Sequence, residues 1–126
     1  MMYSNKIMEE FYNPENYGVI KGASGVGKVV SDVGSEIIKI YIKVEGDKVT
    51  EAQYQTYGGV VAIACTNIAT KLIMGKSLSA ISRMNENNIL EITGEIPENK
   101  MYVVTLVVNA MHAAVESYYN KSAKDD

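Results

Sequence analysis

The strongest constraint on the fold is a pair of stretches in which apolar residues recur at every second position. In the first, Ile38, Ile40, Ile42 and Val44 share one face while Lys39, Tyr41 and Lys43 take the other. In the second, Ala52, Tyr54 and Thr56 alternate with Glu51, Gln53 and Gln55. Successive side chains of an extended chain point to opposite faces, so a period of two marks strands with one buried and one wet face. Between them Glu45-Gly46-Asp47-Lys48 offers residues suited to a tight turn, and the segment is predicted to form an antiparallel hairpin. The valine-rich stretch Val26 to Val33 can add a third strand.

Elsewhere the period is helical. Ile7, Met8, Phe11 and Tyr12 predict a short amphipathic helix over 3–12, ended at Asn13-Pro14 because proline pushes the preceding residue out of the helical region. Val61, Cys65, Ile68 and Leu72 share one face of a helix that begins near Val60 and stops at Gly75. Ser77 is an N-cap candidate for a short helix through Arg83. Between Met101 and Tyr119, Val103, Val104, Val107 and Val108 favour a strand by propensity, but the length of the segment and the run Ala110, Met111, Ala113, Ala114 decide for helix. The order helix, strands, helices implies an α+β domain: a small three-stranded antiparallel sheet with helices packed on one face. With 126 residues, 47% of them hydrophobic, the chain can build one core, so a single domain over 1–126 is expected, with 120–126 a flexible tail.

Charge and cysteine usage exclude several function classes. A net charge of -3, lysines scattered along the chain and a lone arginine, Arg83, leave no basic stretch to neutralise phosphates, so no nucleic-acid partner is expected. A single cysteine forbids an internal disulfide and fits a reducing compartment. No leader-like start and no apolar run long enough for a bilayer are present, so a cytoplasmic protein with no membrane partner is expected.

Three motifs carry candidate chemistry. Gly22-Ala23-Ser24-Gly25-Val26-Gly27-Lys28 matches most of a phosphate-binding loop, but Val29 stands where a magnesium-binding hydroxyl belongs, and strand-like sequence follows instead of a helix. A glycine-rich turn entering a strand is the favoured reading, with nucleotide binding through Gly22 to Lys28 as an alternative. Cys65 could be a reactive thiol, but its place on the Val61, Ile68, Leu72 stripe reads as a small core residue. His112, the one histidine, reads as a surface or hydrogen-bonded helix residue, since one cysteine and one histidine make neither a zinc site nor a catalytic pair. Nine tyrosines against one phenylalanine suit contact surfaces, although most are expected to be packing residues.

Taken in order, Tyr3-Ser4 with Lys6, Tyr12-Asn13-Pro14, Asn16, Gly18, Ile42-Lys43-Val44, Thr56-Tyr57-Gly58, Ala62-Ile63-Ala64, Gly75-Lys76-Ser77-Leu78 and Ala113-Ala114 resemble the IscU/NifU-type iron-sulfur cluster assembly scaffolds over nearly the whole chain. The resemblance implies a SufE/NifU-like fold and a non-enzymatic protein. Members of that family hold an iron-sulfur cluster or zinc on three cysteines aided by an aspartate and a histidine. Carried over by position, those ligands fall on Gly34, Glu36, Gly59, Tyr102 and Val103, of which only Glu36 retains a metal-binding group. The family's chaperone-binding Leu-Pro-Pro-Val-Lys segment corresponds to Ile96-Pro97-Glu98-Asn99-Lys100, in which the second proline is lost.

The resemblance and these replacements together imply a scaffold-like protein that has lost its cluster ligands, carries no cofactor and acts as a binding or accessory module. Tyr102 and Val103 are expected to cover the region left open at Gly34 and Gly59 and to form a contact patch. A cysteine desulfurase or another protein of the scaffold pathway is the implied partner, and a homo-oligomer is compatible with the sequence. The alternative is a metal or cluster carrier that uses Cys65 from two subunits.

Overall fold

The alternating stretches form the sheet they predict. In the computed structural model, which describes residues 3–125, strands β1 (Gly25–Val30), β2 (Ile37–Glu45) and β3 (Lys48–Tyr57) lie in the order β1-β2-β3 with both pairings antiparallel. The β2–β3 turn places its two central residues, Gly46 and Asp47, at positive φ (53° and 74°), the backbone twist a two-residue hairpin demands. Ile38, Ile40, Ile42, Ala52 and Tyr54 point into the core, as their period requires.

Helices cover that one face. They are α1 (Asn5–Tyr12), α2 (Val60–Ile73), α3 (Leu78–Ser82), α4 (Glu86–Thr93) and α5 (Met101–Asp125), with a 3-10 turn at Glu98–Lys100 leading into α5. Ser4 caps α1 by accepting from the Ile7 amide, and Ser77 caps α3 by accepting from the Ala80 amide. The helix α5 lies on β1 and β2 because Gly25 and Gly27 leave room for it. A Cβ at Gly25 would collide with the Ala114 carbonyl, and one at Gly27 with the Ala110 carbonyl and the Ala114 amide. Alternate glycines on the buried side of β1 therefore set the strand-to-helix distance.

Three features depart from the sequence reading. The helix α4 was not anticipated, because its polar segment Glu86-Asn87-Asn88 masks a start fixed by an Asn85–Asn88 capping box. In α2 burial extends around the helix rather than along one stripe: Thr66, Asn67 and Thr70 are buried, while Leu72 is only half-buried. The cause is a neighbour on nearly every side, namely α1, the sheet, α4 and α5. Finally, α5 continues through Asp125, so a helical backbone occupies the stretch read as a tail as far as the described residues reach.

An ion-pair cluster fastens α1 to α2. The Glu10 carboxylate, 2% exposed, accepts from Lys71 Nζ at 3.0 Å on both oxygens and from Asn67 Nδ2 at 2.7 Å, with Lys6 Nζ at 3.3 Å. Burial opposes ionisation of Glu10, but the hydrogen bonds from Lys71, Asn67 and Lys6 outweigh it and hold the carboxyl below its usual range. The Lys71 ammonium is moved the opposite way. Its own burial works against the charge, yet Glu10 and Glu15 raise its pKa.

Candidate functional site

The positions singled out by the resemblance converge at the end of the sheet where β2 begins, β3 ends and the first turns of α2 and α5 meet. The loop from β1 to β2 is built as a turn closed by the Gly34 amide on the Ser31 carbonyl (2.9 Å), with Gly34 at a φ of 73°. The Ser31 amide then donates to the Glu36 carbonyl at 3.0 Å, and the Glu36 amide donates to Ser31 Oγ at 3.1 Å. This pairing fixes Glu36 at the mouth of the strand. From α5, Tyr102 Oη donates to Glu36 Oε2 at 2.7 Å, and Ser35 Oγ donates to Oε1 at 2.8 Å. Both carboxylate oxygens are thus engaged.

The electrostatics follow from that geometry. Burial of Glu36 pushes its carboxyl up, but hydrogen bonds from Tyr102, Ser35 and Ser31, with the charge of Lys100, prevail and keep it below the ordinary carboxylate range. The same hydrogen bond to Glu36, then desolvation, pushes the Tyr102 phenol above its ordinary value. At neutral pH the pair is an ionised carboxylate held by a neutral phenol. A phenol kept protonated donates a hydrogen bond and offers no lone-pair anion to a metal.

A small cavity of about 50 Å³ beneath this pair is lined by Glu36, Gly59, Lys100 and Val103 among others. The structure therefore brings Glu36, Gly59, Tyr102 and Val103 together, with Gly34 in the same loop as Glu36. Gly34 and Gly59 face open space where a Cβ would be. Val103 is 1% exposed and belongs to the core, so it does not share the surface patch expected of it with Tyr102. Its place is taken by residues the sequence did not flag. A groove of about 580 Å³ runs beside the pair, lined by Ser31, Asp32, Val33, Tyr102, Thr105 and Leu106, with Val33 80% exposed. Val33 reads from sequence as the end of a strand, and only the turn at Gly34 swings it outward.

The segment Ile96 to Lys100 also contributes here. Pro97 keeps an extended backbone (φ -52°, ψ 137°), Ile96 packs against the core, and Glu98 to Lys100 coil into the 3-10 turn. That turn brings Lys100 to the Glu36 cavity. Sequence reading assigned Lys100 to a vestigial motif and missed its part in the charge balance of the site.

Three further candidates lie elsewhere in the fold. Cys65 is fully buried in α2, and desolvation pushes its thiol up to about 12, surroundings that disfavour the thiolate and give a second subunit no surface contact with it. His112 donates from Nε2 to the Met84 carbonyl at 2.9 Å and serves as a tie between α5 and the α3–α4 connection. The segment Gly22 to Lys28 enters β1 rather than a helix, so it offers phosphate no helix N-terminus. Its loop turns carbonyls, not amides, toward cations: Lys43 Nζ donates to the Gly22 carbonyl and Lys121 Nζ to the Ala23 carbonyl, both at 3.3 Å. Among the described residues no group of three or more histidine, cysteine, aspartate or glutamate side chains gathers as a metal site, and no helix is long and apolar enough to cross a membrane.

The fold and site define an α+β domain whose loops and helix ends meet around one carboxylate at a single end of the sheet. Residues 2–125 match the NifU-like N terminal domain, and the chain belongs to that family. It is 34% identical over 125 residues to the iron-sulfur cluster assembly scaffold protein IscU 1 of Archaeoglobus fulgidus, covering 99% of this chain and 82% of the relative. With the nitrogen fixation protein NifU of Nostoc it shares 34% identity, covering 92% of this chain and 41% of that longer protein. Among solved structures, a NifU-like N-terminal protein from Brucella abortus superposes with a TM-score of 0.75 at 16% identity, covering 94% of each chain. The putative scaffold for the SUF system from Fervidobacterium islandicum AW-1 gives 0.73 at 20% identity, covering 90% of this chain and 96% of that one. These two likenesses concern the fold.

Proposed function

We propose that this chain is an iron-sulfur scaffold relative that has exchanged its ligand end for a hydrogen-bonded polar cap, and that it works as a non-enzymatic docking module of the assembly system. The observation that carries this reading is the Tyr102–Glu36–Ser35 arrangement, in which the remaining carboxylate at the ligand positions spends both oxygens on hydroxyl donors at 2.7 and 2.8 Å. A carboxylate so engaged is a poor partner for iron, and glycine at 34 and 59 and valine at 103 supply no donor. The cap preserves the shape of the end without its chemistry.

Retained shape is what a partner of the family would recognise. The apolar groove beside Val33, Tyr102 and Leu106 adjoins the cap and supports docking of a cysteine desulfurase or another protein of that pathway there. The test is titration calorimetry of the purified chain with the cysteine desulfurase of the same organism, comparing native protein with Leu106→Asp and Val33→Asp. A complex weakened by both substitutions, with the fold retained by circular dichroism, is expected. No complex, or one indifferent to both, would overturn the docking reading.

A further inference from the structure

On the face of the sheet opposite the helices the strand register assembles three rungs, of which the third is covered: Tyr41 is 6% exposed and Gly18 lies against the Gln53 side chain. Val30, Ile37 and Tyr57 form the first, Lys28, Lys39 and Gln55 the second, and Val26, Tyr41 and Gln53 the third. Lysines that are scattered in sequence are thereby collected. Lys28 and Lys39 are direct cross-strand partners, and among the described residues neither has a carboxylate within ion-pair distance. The acid on this face nearest in register, Glu51, stands opposite Lys43. Like charges directly opposite on a sheet destabilise it, so the pair costs the fold something and gives it nothing.

We propose that this open face is a docking site for an acidic segment of a partner protein, with its carboxylates on Lys28 and Lys39 and an apolar side chain on the Val30–Ile37–Tyr57 rung. The arrangement around the lysines is ordered for that use. Lys39 Nζ sits 5.2 Å from the Tyr41 ring centroid, and Tyr41 Oη donates to Gln55 Oε1 at 2.7 Å. The acceptor of Gln55 is thus occupied and its Nε2 hydrogens remain for an anion. A depression of about 330 Å³ lies over these groups, lined by Tyr17, Lys28, Ile37, Lys39, Gln55 and Tyr57 together with Thr56. Tyr57 is 70% exposed, Tyr17 53% and Val30 50%, giving apolar walls to a cationic floor.

The occupant follows from charge and size. A carboxylate segment meets two uncompensated ammonium groups on an otherwise acidic protein, whereas a nucleic acid would bring dense phosphate charge against a net -3 chain. Three strands spaced about 4.8 Å apart and two open rungs about 7 Å apart give a face on the order of 200 Å², well below the roughly 800 Å² per partner of a stable interface. A short segment, bound transiently, is the fit. The surface differs from the groove at the ligand end and does not depend on the function proposed there.

The test uses a short dye-labelled peptide alternating glutamate with phenylalanine, its glutamine counterpart, and a single-stranded oligonucleotide, each followed by fluorescence anisotropy at low salt. The acidic peptide is expected to bind and its glutamine counterpart not. Combined Lys28→Gln and Lys39→Gln should weaken the acidic peptide about tenfold, while Lys76→Gln, at an exposed lysine outside the sheet face, should change it less than about twofold. Thermal melting separates a binding role from a structural one: Lys28→Glu, which creates an opposite-charge pair with Lys39, should raise the midpoint while abolishing peptide binding. Failure of the acidic peptide to bind, indifference to the double substitution, tighter lysine-dependent binding of the oligonucleotide, or a lowered midpoint in Lys28→Glu would each overturn the proposal.

Discussion

Substituting Gly27 by alanine tests the physical account of the glycine-rich stretch. The added methyl would meet backbone on α5, the Ala110 carbonyl and the Ala114 amide, neither of which can rotate aside as a side chain could. The helix must lift or the strand must bend. Overpacking of this kind costs about 1–3 kcal/mol, and a helix lifted at Ala110 and Ala114 also loosens Val107 and Met111, so the upper end, about 3 kcal/mol, is expected. For a domain of this size that corresponds to a fall of roughly 10 °C in thermal midpoint. Gly22→Ala is the control: nothing lies within 4 Å of its would-be Cβ, and only its φ of 67° opposes alanine, a cost of about 1 kcal/mol. Urea unfolding of both variants, with melting in the presence and absence of magnesium-ATP, measures the difference. A Gly27→Ala protein as stable as the parent, or a midpoint raised by magnesium-ATP and lost in Gly22→Ala, would refute the packing account.

Other substitutions probe the remaining structure. Glu10→Ala removes the partner of buried Asn67 and of Lys71, and because the lysines are about a third exposed and can turn to water, a loss of about 2–3 kcal/mol is expected in urea unfolding. A loss below about 1 kcal/mol would mark the cluster as an ordinary surface pair. Since the folded carboxyls of Glu10 and Glu36 lie below their usual value of 4.5, their contribution is complete above that pH and disappears as pH falls through the folded values. Stability measured from pH 7 to pH 3 should therefore decline below about pH 4.5, and less steeply in a Glu10→Gln, Glu36→Gln protein. Cys65 should resist thiol reagents until the chain unfolds, and rapid labelling of the native protein at neutral pH would contradict its burial. Gly59→Cys, at a φ of -90° and facing open space, should leave stability unchanged, whereas Gly34→Cys at a φ of 73° should cost about 1 kcal/mol, read by the same unfolding assay.

Much of the fold was legible because it rests on period. The alternation at Ile38 to Val44 and Ala52 to Thr56 specifies strands and their buried face, and Ser77 announces a helix start by its side-chain oxygen. Burial around α2 was not legible, since Thr66, Asn67 and Thr70 are polar by type: Thr66 Oγ1 and Thr70 Oγ1 donate to carbonyls of their own helix, Ala62 and Asn67, while Asn67 Nδ2 reaches Glu10 on α1 and Thr70 Oγ1 accepts from Asn16 Nδ2. At the site, residue identities at 34, 36, 59, 102 and 103 could be read in order along the chain. The pairing of Tyr102 with Glu36 could not, because the two are 66 residues apart and meet through the packing of α5 on the sheet. The same holds for Lys100, whose local motif gave no hint of the carboxylate it faces.

The central claim, an end of the scaffold fold whose metal ligands have been replaced by a hydrogen-bonded cap, is tested most directly by anaerobic reconstitution with iron and sulfide, followed by elemental analysis of the desalted protein. A variant combining Gly34→Cys, Glu36→Asp, Gly59→Cys, Tyr102→His and Val103→Cys, run in parallel, restores the family's donor set on the same backbone. The account predicts that the native chain retains iron and sulfide only at trace level while the variant recovers iron binding and thiolate charge-transfer absorption. Near-stoichiometric iron and sulfide on the native chain, or a correctly folded variant that binds no iron, would contradict it.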